Sequence, residues 1–347
     1  MTKIIEYKGE RLETTFIEEL TEQQYVDVKR EYYKLPNKKE VINEIATLLN
    51  GGVQNTNITN YYFKDLMAKV RVYYNKWSIE DAFDYKPILD TFYAKTLNNG
   101  KVFTSENILD NIETAFRLGG KGVASKVANF PIYKVEEILR RYNVNNKWYD
   151  MSCGWGARLT TALKKRVDYY GTDPNYLLVD RLEQLNKDWK EITQMKSNVE
   201  IRPHGSEVHV NEWENTMGLC FTSPPYFYLE DYKIGEQSWK KGTTYQEWLD
   251  NFLKPTIENC HSYLIDKGYL AININNFDKY NLVGDTEKIA NSVGFELVEK
   301  IVLENISRVN STGDFNDNDE QIMVFMKKEY AKEHKSKTVV QISLFDF

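Results

Sequence analysis

Apolar and polar positions follow two different periods along this chain, and the change of period divides it. Through the first ~110 residues the apolar positions recur at helical spacing, which predicts helices over 10–19, 21–33, 38–49 and 63–73. A polar segment rich in Asn and Gly, 50–57, reads as a turn between two of them. Further on, short apolar runs bounded by Gly, Asp and Pro predict strands over 147–150, 167–172, 199–202, 217–221, 267–275 and 320–327. Stretches at 132–142, 159–165, 175–189 and 245–264 between and before these runs have helix-forming patterns. A polar stretch, 305–320, separates the last two strands and has the length of a functional loop.

The run Met217-Gly218-Leu219-Cys220-Phe221-Thr222 ends in Ser223-Pro224-Pro225-Tyr226. Two prolines stop a strand because neither donates a backbone hydrogen bond. A hydroxyl, a rigid turn and an aromatic ring are therefore expected together at a strand's carboxyl end, where ligands bind in open α/β sheets. A rigid turn would hold the hydroxyl and the Pro224 carbonyl in place as acceptors. The alternative is an ordinary strand end with Tyr226 as a core aromatic.

Upstream, Lys147-Trp148-Tyr149-Asp150 leads into Met151-Ser152-Cys153-Gly154-Trp155-Gly156. Glycines there let the backbone turn tightly and approach a ligand. The third glycine of a dinucleotide fingerprint is missing, as suits a ligand without a pyrophosphate. Asp173 follows the next strand about 20 residues past the glycines, where a carboxylate meets ribose hydroxyls. Its other role, an N-cap for the following helix, is compatible with the first.

Ser223-Pro224-Pro225-Tyr226 resembles motif IV of the amino-methyltransferases, in the form most like the DNA cytosine-N4 group. The glycine run resembles motif I of class I methyltransferases, with Ser-Cys-Gly-Trp-Gly in place of the commoner Phe-x-Gly-x-Gly. Trp155 either lines the cofactor or packs beneath the loop. Phe130-Pro131 resembles motif X, and Gly205-Ser206 stands where the family contacts adenine, unless Ser206 is a turn residue. The resemblance implies a Rossmann-like class I methyltransferase sheet, α/β with helices on both faces, behind a mainly helical N-terminal region. It implies S-adenosyl-L-methionine as cofactor, with Phe130, Pro131, Asp150, Ser152, Cys153, Gly154, Gly156, Asp173 and Ser206 around it. Ser223 Oγ and the Pro224 carbonyl would accept from the amine of a flipped DNA base and Tyr226 would stack on it. Cytosine N4 is favoured over adenine N6; RNA is the alternative polymer.

The expected divisions are 1–112, 113–329 and a tail, 330–347. The N-terminal block is either a target reader, assisted by the loop 228–244, or a helical cap on the sheet. In the tail, Gln341, Leu344 and Phe345 resemble the peptide by which bacterial polymerases dock on the sliding clamp, with Phe347 fitting the archaeal and eukaryotic spacing. An edge strand is the alternative, because Val339, Gln341 and Ser343 alternate with apolar neighbours. The rival class is a non-catalytic, clamp-tethered DNA-binding module.

Composition adds limits. The chain has 347 residues, net charge −6 and 24 Tyr, which argues for a globular protein and against a coat for nucleic acid. Arg117, Lys121, Lys126, Lys134, Arg140 and Arg141, with Lys233, Lys240 and Lys241, are candidate phosphate contacts or solvated helix faces. Cys153, Cys220 and Cys260 are too scattered for a disulfide framework, and no metal site is expected. No secretory signal or long apolar run is present, so a cytoplasmic setting is expected, bacterial or phage-infected.

Overall fold

The computed structural model describes residues 2–15, 19–98, 107–118, 122–234, 236–241, 244–303, 321–332 and 339–342. These residues form two units, Met1–Asn129 with Leu229–Gly235, and Phe130–Tyr228 with Glu236–Phe347.

The first unit opens with a hairpin, β1 (Thr2–Tyr7) and β2 (Glu10–Thr15), where a helix over 10–19 was expected. Lys8 and Gly9 both take positive φ, +50° and +81°, the conformation of a two-residue hairpin turn. Alternate residues of β2 are shielded, so the period-2 reading of Glu-Arg-Leu-Glu-Thr-Thr prevails over the helical one. Then come α1 (Glu22–Tyr33), α2 (Lys38–Leu49), α3 (Asn57–Lys69), β3 (Arg71–Val72), α4 (Ile79–Asp84), α5 (Lys86–Asn98) and α6 (Ile108–Leu118). Thr21, Asn37 and Ser78 start their helices with reciprocal capping boxes. Helix α3 makes no such cap at Thr56; instead buried Glu44 on α2 reaches across and accepts from Ile58 N at 2.8 Å. Tyr32, Phe83, Phe92 and Phe116 form the aromatic centre of the core, with Tyr32 and Phe83 stacked at 4.3 Å. Ile112, Ala115 and Phe116 of α6 belong to this core, and the unit's first segment extends to Asn129. Strand β3 pairs with β8 (Glu230–Asp231), the segment that follows the Ser-Pro-Pro-Tyr turn in sequence.

The second unit is an α/β sheet. Its elements are α7 (Ile132–Tyr142), β4 (Lys147–Asp150), α8 (Ala157–Lys165), β5 (Asp168–Thr172), α9 (Tyr176–Thr193), β6 (Val199–Arg202) and β7 (Met217–Thr222), then the helices below and the remaining strands. After β7 come α10 (Tyr245–Trp248) and α11 (Lys254–Tyr263), joined by the π-helical turn Leu249–Leu253. Next are β9 (Leu264–Ile274), α12 (Leu282–Val293), β10 (Phe295–Leu303), β11 (Gln321–Lys327), α13 (Lys328–Ala331) and β12 (Val339–Ile342). The strand order is β12-β10-β11-β9-β7-β4-β5-β6. Strands β6, β5, β4, β7 and β9 run parallel, whereas β11 is antiparallel to both neighbours. This is a Rossmann-like, mostly parallel sheet. The chain steps outward from β4 to β6 and then returns to β7 on the other side of β4. The carboxyl ends of β4 and β7 therefore flank the topological switch point, the place where such sheets bind ligands. Every residue of β7 is buried, as befits a central strand covered on both faces. Among the described residues, no helix is long and apolar enough to cross a membrane, and no group of side chains is placed to hold a metal ion.

Candidate active site

At the end of β4, Asp150 is 0% exposed, and its carboxylate is taken up by the chain itself. Arg158 Nε on α8 and the Tyr169 hydroxyl on β5 donate to Oδ2 at 2.7 and 2.8 Å. Thr222 Oγ1 on β7 and Ser152 N donate to Oδ1 at 2.8 and 3.3 Å. Asp150, expected as a cofactor ligand, ties the glycine loop to the strand before the proline turn. Ser152 continues the tie: its hydroxyl lies 2.9 Å from Thr222 Oγ1 and donates to the Ser223 carbonyl at 3.1 Å. Arg158 Nη2 also donates to the Ser152 carbonyl.

Gly154 and Gly156 adopt φ of +60° and +81°, a bend that side-chain-bearing residues resist. Gly156 begins α8 without a side-chain cap, so the helix's first amides are left for a ligand or solvent. Trp155 is buried and packs into the protein. Cys153 is buried too; its sulfur occupies the space that a side chain on Gly171 would need, 2.5 Å from that ideal Cβ. Burial, with the Asp150 and Asp173 carboxyls nearby, holds the Cys153 thiol well above its ordinary pKa, so it is no nucleophile.

Asp173 follows β5 and accepts from Asn175 N at 3.0 Å. Asn175, not Asp173, caps α9, accepting from Leu178 N at 3.3 Å. The Asp173 carboxyl faces the glycine loop, and burial pushes its pKa up to about 7 against the pull of the Asn175 and Gly154 amides. Ser206 is buried. Its hydroxyl is 2.8 Å from Thr256 Oγ1 on α11 and its carbonyl accepts from Asn259 Nδ2 at 2.8 Å, so its side chain is engaged in the core. Phe130 meets Phe221 of β7 edge to face at 5.9 Å, and Pro131 starts α7.

Beyond Thr222 the corner is rigid. Pro224 is buried, Ser223, Pro225 and Tyr226 are half-buried, and Phe227 N closes back on the Pro225 carbonyl at 3.1 Å. Phe227 itself sits at φ +51°, a costly conformation for a bulky residue. Its ring is held among Tyr228, Tyr245, Trp248 and Tyr280 at 4.7–5.8 Å. Sequence reading missed Asn273 on β9, which is 0% exposed and donates through Nδ2 to Ser223 Oγ at 3.1 Å. The Tyr226 hydroxyl donates to the Asn273 carbonyl at 3.3 Å. The signal was a lone asparagine inside the apolar stretch Ala271-Ile272-Asn273-Ile274.

Several of the basic residues are engaged within the chain. Arg140 is bound by Glu137, Arg141 by buried Glu299 at 2.6 Å, and Lys233 by Asp231 at 2.9 Å. Lys134 is buried, Lys240 lies over the Trp239 ring, and Lys121 falls outside the described residues. In the tail, Gln341 is opposite Val302 where β12 adds in parallel to the sheet edge at β10. Leu344, Phe345 and the loop 304–320 lie outside the described residues.

Residues 217–343 match the DNA methylase family of N6 and N4 methyltransferases, a span that starts with β7 and includes the proline corner. No curated protein matches the chain. Among solved structures, it is similar to a TehB-like S-adenosylmethionine-dependent methyltransferase from Corynebacterium glutamicum, at 17% identity over 57% of this chain and 87% of that one, TM-score 0.38. A class I S-adenosylmethionine-dependent methyltransferase from Listeria monocytogenes aligns at 14% identity over 92% and 91%, TM-score 0.40. Magnesium protoporphyrin IX methyltransferase from Synechocystis, with bound cofactor, aligns at 9% identity over 70% and 95%, TM-score 0.38. The fold assignment rests on the strand order rather than on these distant likenesses.

Proposed function

We propose that this chain, an S-adenosylmethionine-dependent methyltransferase with a DNA-methylase catalytic segment, methylates N4 of a cytosine flipped out of DNA. What supports this reading is the corner Ser223-Pro224-Pro225-Tyr226, joined to the glycine loop through Ser152 at 3.1 Å. Serine at its first position favours cytosine over adenine.

S-adenosylmethionine, when bound, supplies an electrophilic methyl group. The residues present suit it: two positive-φ glycines open a close backbone approach, and Asp173 offers a carboxylate for vicinal hydroxyls. Ser223 Oγ and the Pro224 carbonyl would hold the N–H groups of the amine and favour its pyramidal form. The proline turn keeps both acceptors in place without ordering cost in the reaction. Tyr226 would stack on the extruded base. Once the amine has taken the methyl group, its surplus proton would leave past Ser223 to solvent.

Ser223→Ala is expected to lower kcat by about 100-fold, in line with loss of one preorganised polar group. Tyr226→Ala forfeits stacking worth about 1–3 kcal/mol, or roughly 5- to 150-fold. Both leave cofactor affinity unchanged. The measurement is transfer from labelled cofactor to unmethylated DNA and matched RNA, read as modified nucleosides by mass spectrometry. N6-methyladenine in place of N4-methylcytosine would correct the base, methylated RNA alone would correct the polymer, and a fully active Tyr226→Ala would remove the stacking role.

Clamp docking through Gln341, Leu344 and Phe345 is part of the same proposal and rests on their spacing. The full chain should bind purified sliding clamp and lose that binding in the Leu344→Ala, Phe345→Ala variant. No binding at tens of micromolar rules it out.

A further inference from the structure

We infer that Asn273 is a positioning residue for this transfer, locking the Ser223 hydroxyl and the Tyr226 ring into one hydrogen-bonded unit; the inference rests on the function proposed above. Strands β7 and β9 are parallel with Thr222 opposite Ile272. The next residues, Ser223 and Asn273, are therefore level in the sheet, and side-chain alternation sends them to the same face. Asn273 Nδ2 donates to Ser223 Oγ at 3.1 Å and lies 3.5 Å from the Tyr226 hydroxyl, which in turn donates to the Asn273 carbonyl at 3.3 Å. One residue thus grips both groups that meet the base.

Its position argues against filling alone. Ala271, Ile272 and Ile274 beside it are buried aliphatics, and an amide in such a strand costs free energy unless it is bonded. A serine oxygen has one proton and two lone pairs. With one lone pair occupied by Asn273, Ser223 retains one acceptor for an amine N–H and its own proton for a neighbouring ring nitrogen. A hydroxyl that is otherwise free to rotate is held with its acceptor in place before the base arrives. Tyr226 is anchored through its hydroxyl end, which restricts the plane of the ring.

The test is a double-mutant cycle of Asn273→Ala and Ser223→Ala, read in kcat, KM for DNA and cofactor affinity. Asn273→Ala should lower kcat by about 10- to 100-fold while cofactor affinity and KM stay nearly constant. In the Ser223→Ala background the same change should cost less than about twofold, because the hydroxyl that the side chain holds is gone and the main-chain carbonyl that anchors Tyr226 is retained. Asn273→Asp adds a readout that structural damage does not mimic. At saturating cofactor its kcat relative to wild type should rise as pH falls through the new carboxyl's titration, since only the protonated acid donates to Ser223. This variant also carries the test should Asn273→Ala fail to fold. Losses that multiply independently across the cycle, with a flat Asn273→Asp pH ratio, overturn the inference while the function stands. A wild-type chain that methylates no polynucleotide overturns both.

Discussion

Asp150→Ala is expected to destabilise the second unit by about 3–5 kcal/mol, the usual cost of breaking a buried ion pair by removing one partner. The Arg158 guanidinium is almost fully enclosed and loses the carboxylate 2.7 Å from its Nε. The Tyr169 and Thr222 hydroxyls lose an acceptor each, at 2.8 Å. For a unit of this size that loss lowers Tm by roughly 6–20 °C. Activity should fall with it, because Thr222 immediately precedes Ser223 and Ser152 bridges to the Ser223 carbonyl. Replacing Arg158 by Met in the same chain should recover part of the stability, since no uncompensated charge is then buried. Chemical denaturation followed at constant m-value checks both variants. A single variant within about 1 kcal/mol of wild type would mean that solvent reaches Arg158 and that the node is not load-carrying.

The second large effect belongs to Asp173, whose carboxyl is pushed from 3.8 up to about 7 by burial. In the proposed role ribose hydroxyls bind the ionised form, so cofactor binding would expel the proton wherever the free protein holds one. Cofactor affinity should therefore be about 100-fold weaker at pH 5 than at pH 8, rising tenfold per unit below 7 and levelling above it. Stability runs the other way. Between pH 3.8 and about 7 the native protein holds a proton that the unfolded chain has released, so this group's contribution falls as pH rises through that window and is flat beyond it. The shift corresponds to at most about 4 kcal/mol. Asp173→Asn should recover about 1–3 kcal/mol of this at pH 8, the remainder being lost with the charge-assisted bonds from the Asn175 and Gly154 amides. The same variant should bind cofactor poorly and without pH dependence. Calorimetric titration across pH 5–8, with denaturation of both proteins at pH 8, decides it. A flat wild-type affinity, or a variant less stable than its parent, would contradict the buried-acid account.

These two carboxylates mark the limit of what one chain of letters conveys. Both stand at the carboxyl end of a predicted strand near glycines, and both were read as cofactor ligands. Asp173 faces the glycine loop, with a pKa that a ligand can move. Asp150 is consumed by Arg158, Tyr169 and Thr222, the last 72 residues away. Ser206 illustrates the same point: its hydroxyl partner Thr256 lies 50 residues on. The hairpin at 2–15 was lost because a short, charge-rich segment satisfies helical and strand periods about equally, and only the Lys8-Gly9 turn separates them.

Local chemistry alone determined much of this protein. Proline pairs end a strand, capping boxes start α1, α2 and α4, and apolar runs mark the central strands, because each effect acts within a few residues of the backbone that it shapes. Strand order, the identity of each carboxylate's partners and the placement of Asn273 beside Ser223 were decided only by the folded sheet. Those depend on which distant segments share a layer, and burial then sets whether a polar group meets a ligand or its own chain.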